Sequence, residues 1–327
     1  MHVAFLIIAA VFAFLVPPTA PAAVSPAAEH KFVSHMVKTH GFDKDRLERL
    51  LGQAVHKQKI IDAITRPAEA LPWHRYRRIF LKDDRIRGGV AYWKEHVELL
   101  ERAQATYGVP AEIIVAIIGV ETKYGANTGS YRVIDALKTL GFGYPRRADF
   151  FRGELEEFLL MAREEELDPL KPLGSYAGAM GKPQFIPSSF RAYAIDFDGD
   201  GKRDLWNGDA DTIGSIANYL AKHGWVRDGG VAFEVDTPPE HQELATTKAR
   251  KPDRQLGELR VLGFSPPDGL PPDSLATLMR FEQSESDEFW LGLNNFYTIT
   301  RYNHSNLYAM AVFQLSEAVL AARNRGG

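Results

Sequence analysis

Apolar residues recur at helical spacing along most of the chain, a pattern that predicts a mainly α fold with a minor sheet. "EHKFVSHMVKTHGF" reads as a helix stopped by Gly41, and "DKDRLERLLGQAVH" restarts one with Asp43 as its cap. Prolines in "RPAEALPW" interrupt the pattern. "RIRGGVAYWKEHVELLERAQATYGV" then reads as one long amphipathic helix ending at Gly108. The stretch "PAEIIVAIIGVETKYG" differs in kind. Pro110 suits a first turn, nearly every position to Val120 is apolar, and the run closes on Glu121. Over 150–167, Phe151, Leu155, Phe158, Leu159 and Ala162 share one helical face. "DTIGSIANYLAKHGW" and "SNLYAMAVFQLSEAVLAARNR" are further helices. Residues 231–281 are Pro-rich with β-like runs, "VAFEV" and "LATLMRFEQ", and predict a small β lobe. Nothing in this order suits a Rossmann-type sheet.

Composition adds limits. The chain has 327 residues and is 45% hydrophobic, enough for a large core. The net charge of −3 gives no global signal for nucleic acid. Residues 31–100 are locally basic, with 15 Lys and Arg against 9 Asp and Glu, which reads as a solvated surface. "HVAFLIIAAVFAFLV" has the length of a signal-peptide core, and "PPTAPAAVS" supplies small residues for cleavage after Ala22 or Ala23. Export is expected, with residues 1–23 as the signal peptide. An uncleaved leader would anchor the chain instead. There is no cysteine, which excludes a lipid-bearing cysteine, thiol catalysis and cysteine metal sites. His30, His35, His40, His56, His74 and His96 show no HExxH spacing, so no zinc site is expected.

"DFDGDGKRDLWN" has the spacing of an EF-hand loop over 196–207. Asp196, Asp198 and Asp200 fill its first, third and fifth positions, and Gly201 the turn. Lys202 would ligate through its carbonyl, and Asp204 fills the ninth position. Several carboxylates packed together repel one another unless a hard cation joins them. Asn207 stands where a bidentate Glu is usual, which leaves Asp209 or Asp211 to close the shell. A calcium ion with a structural role is the expectation.

Glu121, set against an apolar wall, is a candidate for a carboxyl that stays protonated near neutral pH. That is what a general acid needs to protonate a leaving sugar oxygen. Around it, "GVETKYG", "GSYAGAMGKPQFIPSSF", the aspartate loop, "IGSIANYLAKHGW" and "NNFYTITRYNHS" stand in order. With "HGFD" and "GFGYPRRADFF", the chain resembles the lytic murein transglycosylase B family over residues 30–327.

The resemblance implies a lysozyme-like catalytic core over 96–230. A helical N-terminal lobe (30–95) precedes it. A β lobe (231–284) and a C-terminal segment returning to the core (285–327) follow. It implies cleavage of the β-1,4 MurNAc–GlcNAc bond of peptidoglycan with 1,6-anhydro ends, and Glu121 as the single acid/base. Asp135, Asp149 and Glu154 are the unplaced candidates for a second carboxylate. Substrate-lining residues carried over are Tyr76, Ser175, Met180, Gln184, Phe185, Tyr219, Tyr302, Asn303 and Tyr308. A monomeric periplasmic enzyme is implied. Its partners would be glycan strands and other cell-wall enzymes, with no organic cofactor and no nucleic acid. A muramidase that adds water and a non-catalytic murein-binding scaffold are the competing readings.

Overall fold

The computed structural model describes residues 26–65 and 71–326; the expected leader lies outside them. In chain order the helices are α1 (Pro26–His40), α2 (Lys44–Gln53), α3 (Gln58–Thr65), α4 (Trp73–Phe80) and α5 (Asp83–Glu95). Next come α6 (Val97–Tyr107), α7 (Ala111–Thr122), strand β1 (Tyr131–Arg132), α8 (Val133–Gly143) and α9 (Ala148–Glu164). Strand β2 (Leu173–Gly174), α10 (Pro187–Tyr193), α11 (Asp209–Lys222), β3 (Ala232–Glu234), β4 (Arg254–Gln255) and α12 (Leu256–Val261) follow. The chain closes with β5 (Leu275–Phe281), β6 (Glu288–Gly292), α13 (Asn294–Tyr302) and α14 (Asn306–Gly326).

These elements form two compact units. The first takes 26–65 with 125–212, and the second takes 71–124 with 213–326. The stretch 30–95, expected as one lobe, is therefore shared: α1 to α3 lie in the first unit, α4 and α5 in the second.

In the first unit α8 packs on α9, which also carries α10, and α3 packs on α8. Phe151, Leu155 and Phe158 of α9 are buried on one face, as their spacing predicts. Local rules set several ends. Asp43 caps α2 by accepting from the Arg46 N–H at 2.7 Å. Glu154, buried in α9, accepts from the N–H and hydroxyl of Ser188 at 3.0 and 2.7 Å and so fixes the start of α10.

In the second unit α7 packs against α5, α6 and α14. Between Ala111 and Val120 every residue except Glu112 is buried, so a helix apolar on all sides is a helix enclosed on all sides. Pro110 stands just before this helix as its cap, with extended backbone. The long helix expected over 85–108 is two helices. His96 leaves the helical region (φ −118°, ψ 29°), and its ring lies 4.4 Å from that of Tyr92. Gly108 ends α6 in the left-handed conformation (φ 73°), as expected.

The sheet is antiparallel in the order β3-β6-β5-β4, with Leu278 opposite Leu291 and Met279 opposite Trp290. Alternation sorts its faces. Ala276, Leu278 and Leu291 join Leu256, Leu259 and Phe264 in one apolar cluster. Met279 points the other way, close to Gly292 and beside Phe296 of α13. Strand β6 lies beyond the expected lobe boundary at 284. Among the described residues no single helix is long and apolar enough to cross a membrane.

Candidate active site

Glu121 occupies the last turn of α7. The turn ends unusually: Lys123, Tyr124 and Gly125 all have positive φ, at 53°, 59° and 88°. The N–H of Lys123 returns to Gly119 O at 3.1 Å, the 5→1 bond of an αL helix end, and that of Tyr124 reaches back to Ile118 O at 3.3 Å. Two non-glycine residues in this region cost on the order of 1–2 kcal/mol each.

Tyr124 offsets that cost. Its ring sits in a slot floored by Gly88 and Gly89 of α5 and Gly119 of α7. A Cβ at these three positions would lie 2.8, 2.7 and 2.6 Å from atoms of the ring or its hydroxyl. The hydroxyl donates to Arg85 O at 2.9 Å, and the Arg85 guanidinium donates to Gly119 O. Tyr92 stacks on the ring with centroids 5.8 Å apart. Lys123 adds an ion pair to Asp84 at 2.7 Å.

The Glu121 carboxyl meets phenols. Tyr308 of α14, fully buried, donates its hydroxyl to Glu121 Oε1 at 2.6 Å. Tyr302 stacks on Tyr308 with centroids 6.4 Å apart and planes 9° apart. Tyr219 of α11 packs on Tyr302 at 4.9 Å and donates its hydroxyl to Arg301 O at 2.6 Å. Tyr76 of α4 is buried and feels the Glu121 charge. Burial pushes Glu121 up to about 8, against the pull of the Tyr308 hydrogen bond. Burial, and then Glu121 itself, raise Tyr76, Tyr302 and Tyr308, so all three remain neutral phenols.

No second carboxylate contributes to the Glu121 shift. The three candidates from the sequence are otherwise engaged. Asp135 is buried under Arg132 (2.9 and 2.8 Å) and the Val55 N–H (2.9 Å). Glu154 holds Ser188, and Asp149 is exposed beside Arg152.

Asn303 follows α13 and is buried, with its side-chain oxygen lacking a hydrogen-bond partner. In the first unit the loop 174–185 folds tightly. Ser175, buried, accepts at its hydroxyl from the N–H groups of Ala177 and Ala179 at 3.3 and 3.0 Å. Met180 bridges Gly174 and Phe185 in backbone pairing, and both Met180 and Phe185 are buried. These three residues frame the loop rather than offer surface. Gln184 (φ 53°) donates to Thr128 O and Gly181 O at 3.1 and 2.8 Å, and its carbonyl oxygen has no partner.

The aspartate loop brings one oxygen each of Asp196, Asp198 and Asp211 within 4.8 Å of one another. Asp211 is buried and anchors the loop through the N–H groups of Phe197 and Asp204 at 2.7 and 2.8 Å. Burial raises its pKa, and Asp198 and Asp196 raise it further. Three converging carboxylates that repel one another fit a hard divalent cation. Asp200 and Asp204 do not join them. Asp200 accepts from Lys202 N at 2.9 Å, and Asp204 caps the N–H groups of Trp206 and Asn207 at 2.9 and 3.0 Å. Asp209 pairs with Lys182 at 2.7 Å. The signal for Asp211 was its place in the first turn of a helix just past the loop; nothing in the spacing singled out the glycine slot.

The model of the Transglycosylase SLT domain family matches residues 26–317. The membrane-bound lytic murein transglycosylase B of Escherichia coli is 45% identical over 303 residues, covering 90% of this chain and 82% of that protein. The soluble lytic transglycosylase SltB1 of Pseudomonas aeruginosa is 53% identical, with a TM-score of 0.87 over 92% of this chain and 100% of that one. The Escherichia coli lytic transglycosylase Slt35, solved in complex with calcium, is 45% identical, with a TM-score of 0.84 over 91% and 94%.

Proposed function

This chain belongs to the transglycosylase SLT domain family and is a lytic murein transglycosylase, and from that premise we propose that Glu121 is its single acid/base. The observation that carries the proposal is the Glu121 carboxyl itself. It is raised to about 8 by burial and is held by the phenol of Tyr308. Protonated at neutral pH, it donates to the glycosidic oxygen as the C1–O4 bond breaks. The resulting carboxylate takes the proton of the C6 hydroxyl, whose oxygen closes on C1. The product is a 1,6-anhydro ring, and the proton ends where it began. Tyr308 donates to the carboxylate stage and limits the cost of a buried charge. Ordinary glycosidases need two carboxylates, and a cycle that consumes no water needs one.

Tyr76, Tyr219, Tyr302 and Asn303 are proposed to line the glycan near Glu121. Gln184 is proposed to meet a hydroxyl or acetamido group through its unpartnered oxygen. Asp196, Asp198 and Asp211 would hold a calcium ion that neutralises their repulsion and fixes the loop; it takes no part in the chemistry. The substrate places the protein in the cell envelope, and export to the periplasm is the proposed route.

Mass spectrometry of murein digested by the full chain, with Glu121→Gln alongside, tests this. Anhydro products, one water lighter than hydrolytic ones and absent with the variant, are expected. Reducing ends would mean a muramidase, and binding without any product would mean a scaffold.

A further inference from the structure

His35 and His40 at the C-terminal end of α1 face Glu156 on α9, all within the first unit. His40 Nε2 lies 2.6 Å from Glu156 Oε1, and His35 Nε2 lies 3.1 and 3.2 Å from the two carboxylate oxygens. The rings meet edge to face at 5.6 Å, and one ligand atom from each of the three residues lies within 4.8 Å of the others. Zinc holds nitrogen and oxygen ligands at about 2.0–2.1 Å in a tetrahedron, which sets neighbouring ligand atoms about 3.3 Å apart. The His35 side of the triangle, 3.1 Å, is close to that spacing, and the His40 side, 2.6 Å, would open to admit an ion.

A second feature points the same way. His35 Nδ1 lies 3.2 Å from the Thr39 hydroxyl, so the ring has an outer partner that directs Nε2 toward Glu156. Metal-bound histidines are oriented in this manner. Arg163, close by, is engaged elsewhere: it donates to His40 O at 2.8 Å and its guanidinium lies over Phe42 at 4.5 Å. All three ligands keep some exposure, so an ion has a way in.

We propose that His35, His40 and Glu156 form a site for a borderline divalent cation, zinc in the first place, that ties the end of α1 to α9. Two imidazoles and one carboxylate suit such an ion better than calcium, which prefers an all-oxygen shell. Three protein ligands leave a position for solvent, and the site is distinct from the aspartate loop. HExxH spacing could not reveal it, because the third ligand lies 116 residues beyond His40.

The test is calorimetry of the full chain, stripped with EDTA and then saturated with calcium, titrated with zinc chloride. One zinc per chain and a higher melting temperature are expected. His40→Ala and Glu156→Gln should abolish both. Thr39→Val should weaken binding about tenfold, the effect of losing an outer partner. Cobalt(II) added instead should give visible absorption that the same variants lack. Circular dichroism and murein turnover without zinc check that the variants fold. No zinc heat in the wild type, undiminished binding in Glu156→Gln, or loss of binding in His30→Gln instead would each overturn the site.

Discussion

At the scale of the residue, the proton on Glu121 links catalysis to stability. Its folded pKa of about 8 lies above the ordinary 4.5, so folding takes up a proton between those values. The stability this contributes is complete below about 4.5 and is lost as pH rises through about 8. Glu121→Gln should therefore match the wild type below about pH 4.5 and melt at an increasingly higher temperature as pH rises toward about 8. The gain should be on the order of a few kcal/mol. Melting curves across pH check this, and a constant difference would contradict it. Tyr308→Phe keeps the stack on Tyr302 but removes the bond that lowers Glu121. The alkaline limb of kcat/KM should move to higher pH, and turnover should fall about tenfold, as expected for a lost hydrogen bond to a charged group. Glu121 was legible because an acid closing an apolar helix is a local pattern. Its phenolic partner was legible only through the family motif, since 187 residues separate Tyr308 from Glu121.

At the scale of the element, the end of α7 reverses a familiar rule. Gly119 lies inside a helix, where alanine would ordinarily stabilise by about 1 kcal/mol. Here its Cβ would lie 2.6 Å from the Tyr124 hydroxyl. Gly119→Ala should therefore destabilise, by about 1–3 kcal/mol, and lower kcat by disturbing the turn that aims Glu121. Combined with Tyr124→Ala, its cost should shrink below the sum of the two single changes, which a denaturation cycle would measure. The slot escaped the sequence reading because Gly88, Gly89 and Gly119 look like ordinary helical glycines until the ring between them is seen. The aspartate loop was half legible. Its spacing identified Asp196 and Asp198, but a short acidic turn also spends carboxylates on its own N–H groups, as Asp200 and Asp204 do.

At the scale of the whole molecule, the mainly helical class followed from apolar periodicity, and the sheet from the Pro-rich stretch with β-like runs. The grouping of helices did not follow, because periodicity shows which face is buried and not against what. Calcium should act unevenly over this plan. Its candidate ligands all lie in the first unit, so added ion should raise the melting temperature and slow amide exchange most over 125–212. Strands β5 and β6 should change less. Equal protection everywhere, or none, would count against the site; Asp211→Asn should remove the effect.

Each unit is assembled from two separated stretches of chain, 26–65 with 125–212 and 71–124 with 213–326. This orders events during synthesis. When residue 124 leaves the ribosome, only the opening stretch of each unit exists, and α7 presents its apolar sides without α14 to cover them. The first unit can close once residue 212 has emerged, whereas the second must wait for the final helix. A protein cut short before Asn306 would leave one side of α7 uncovered and Glu121 without Tyr308.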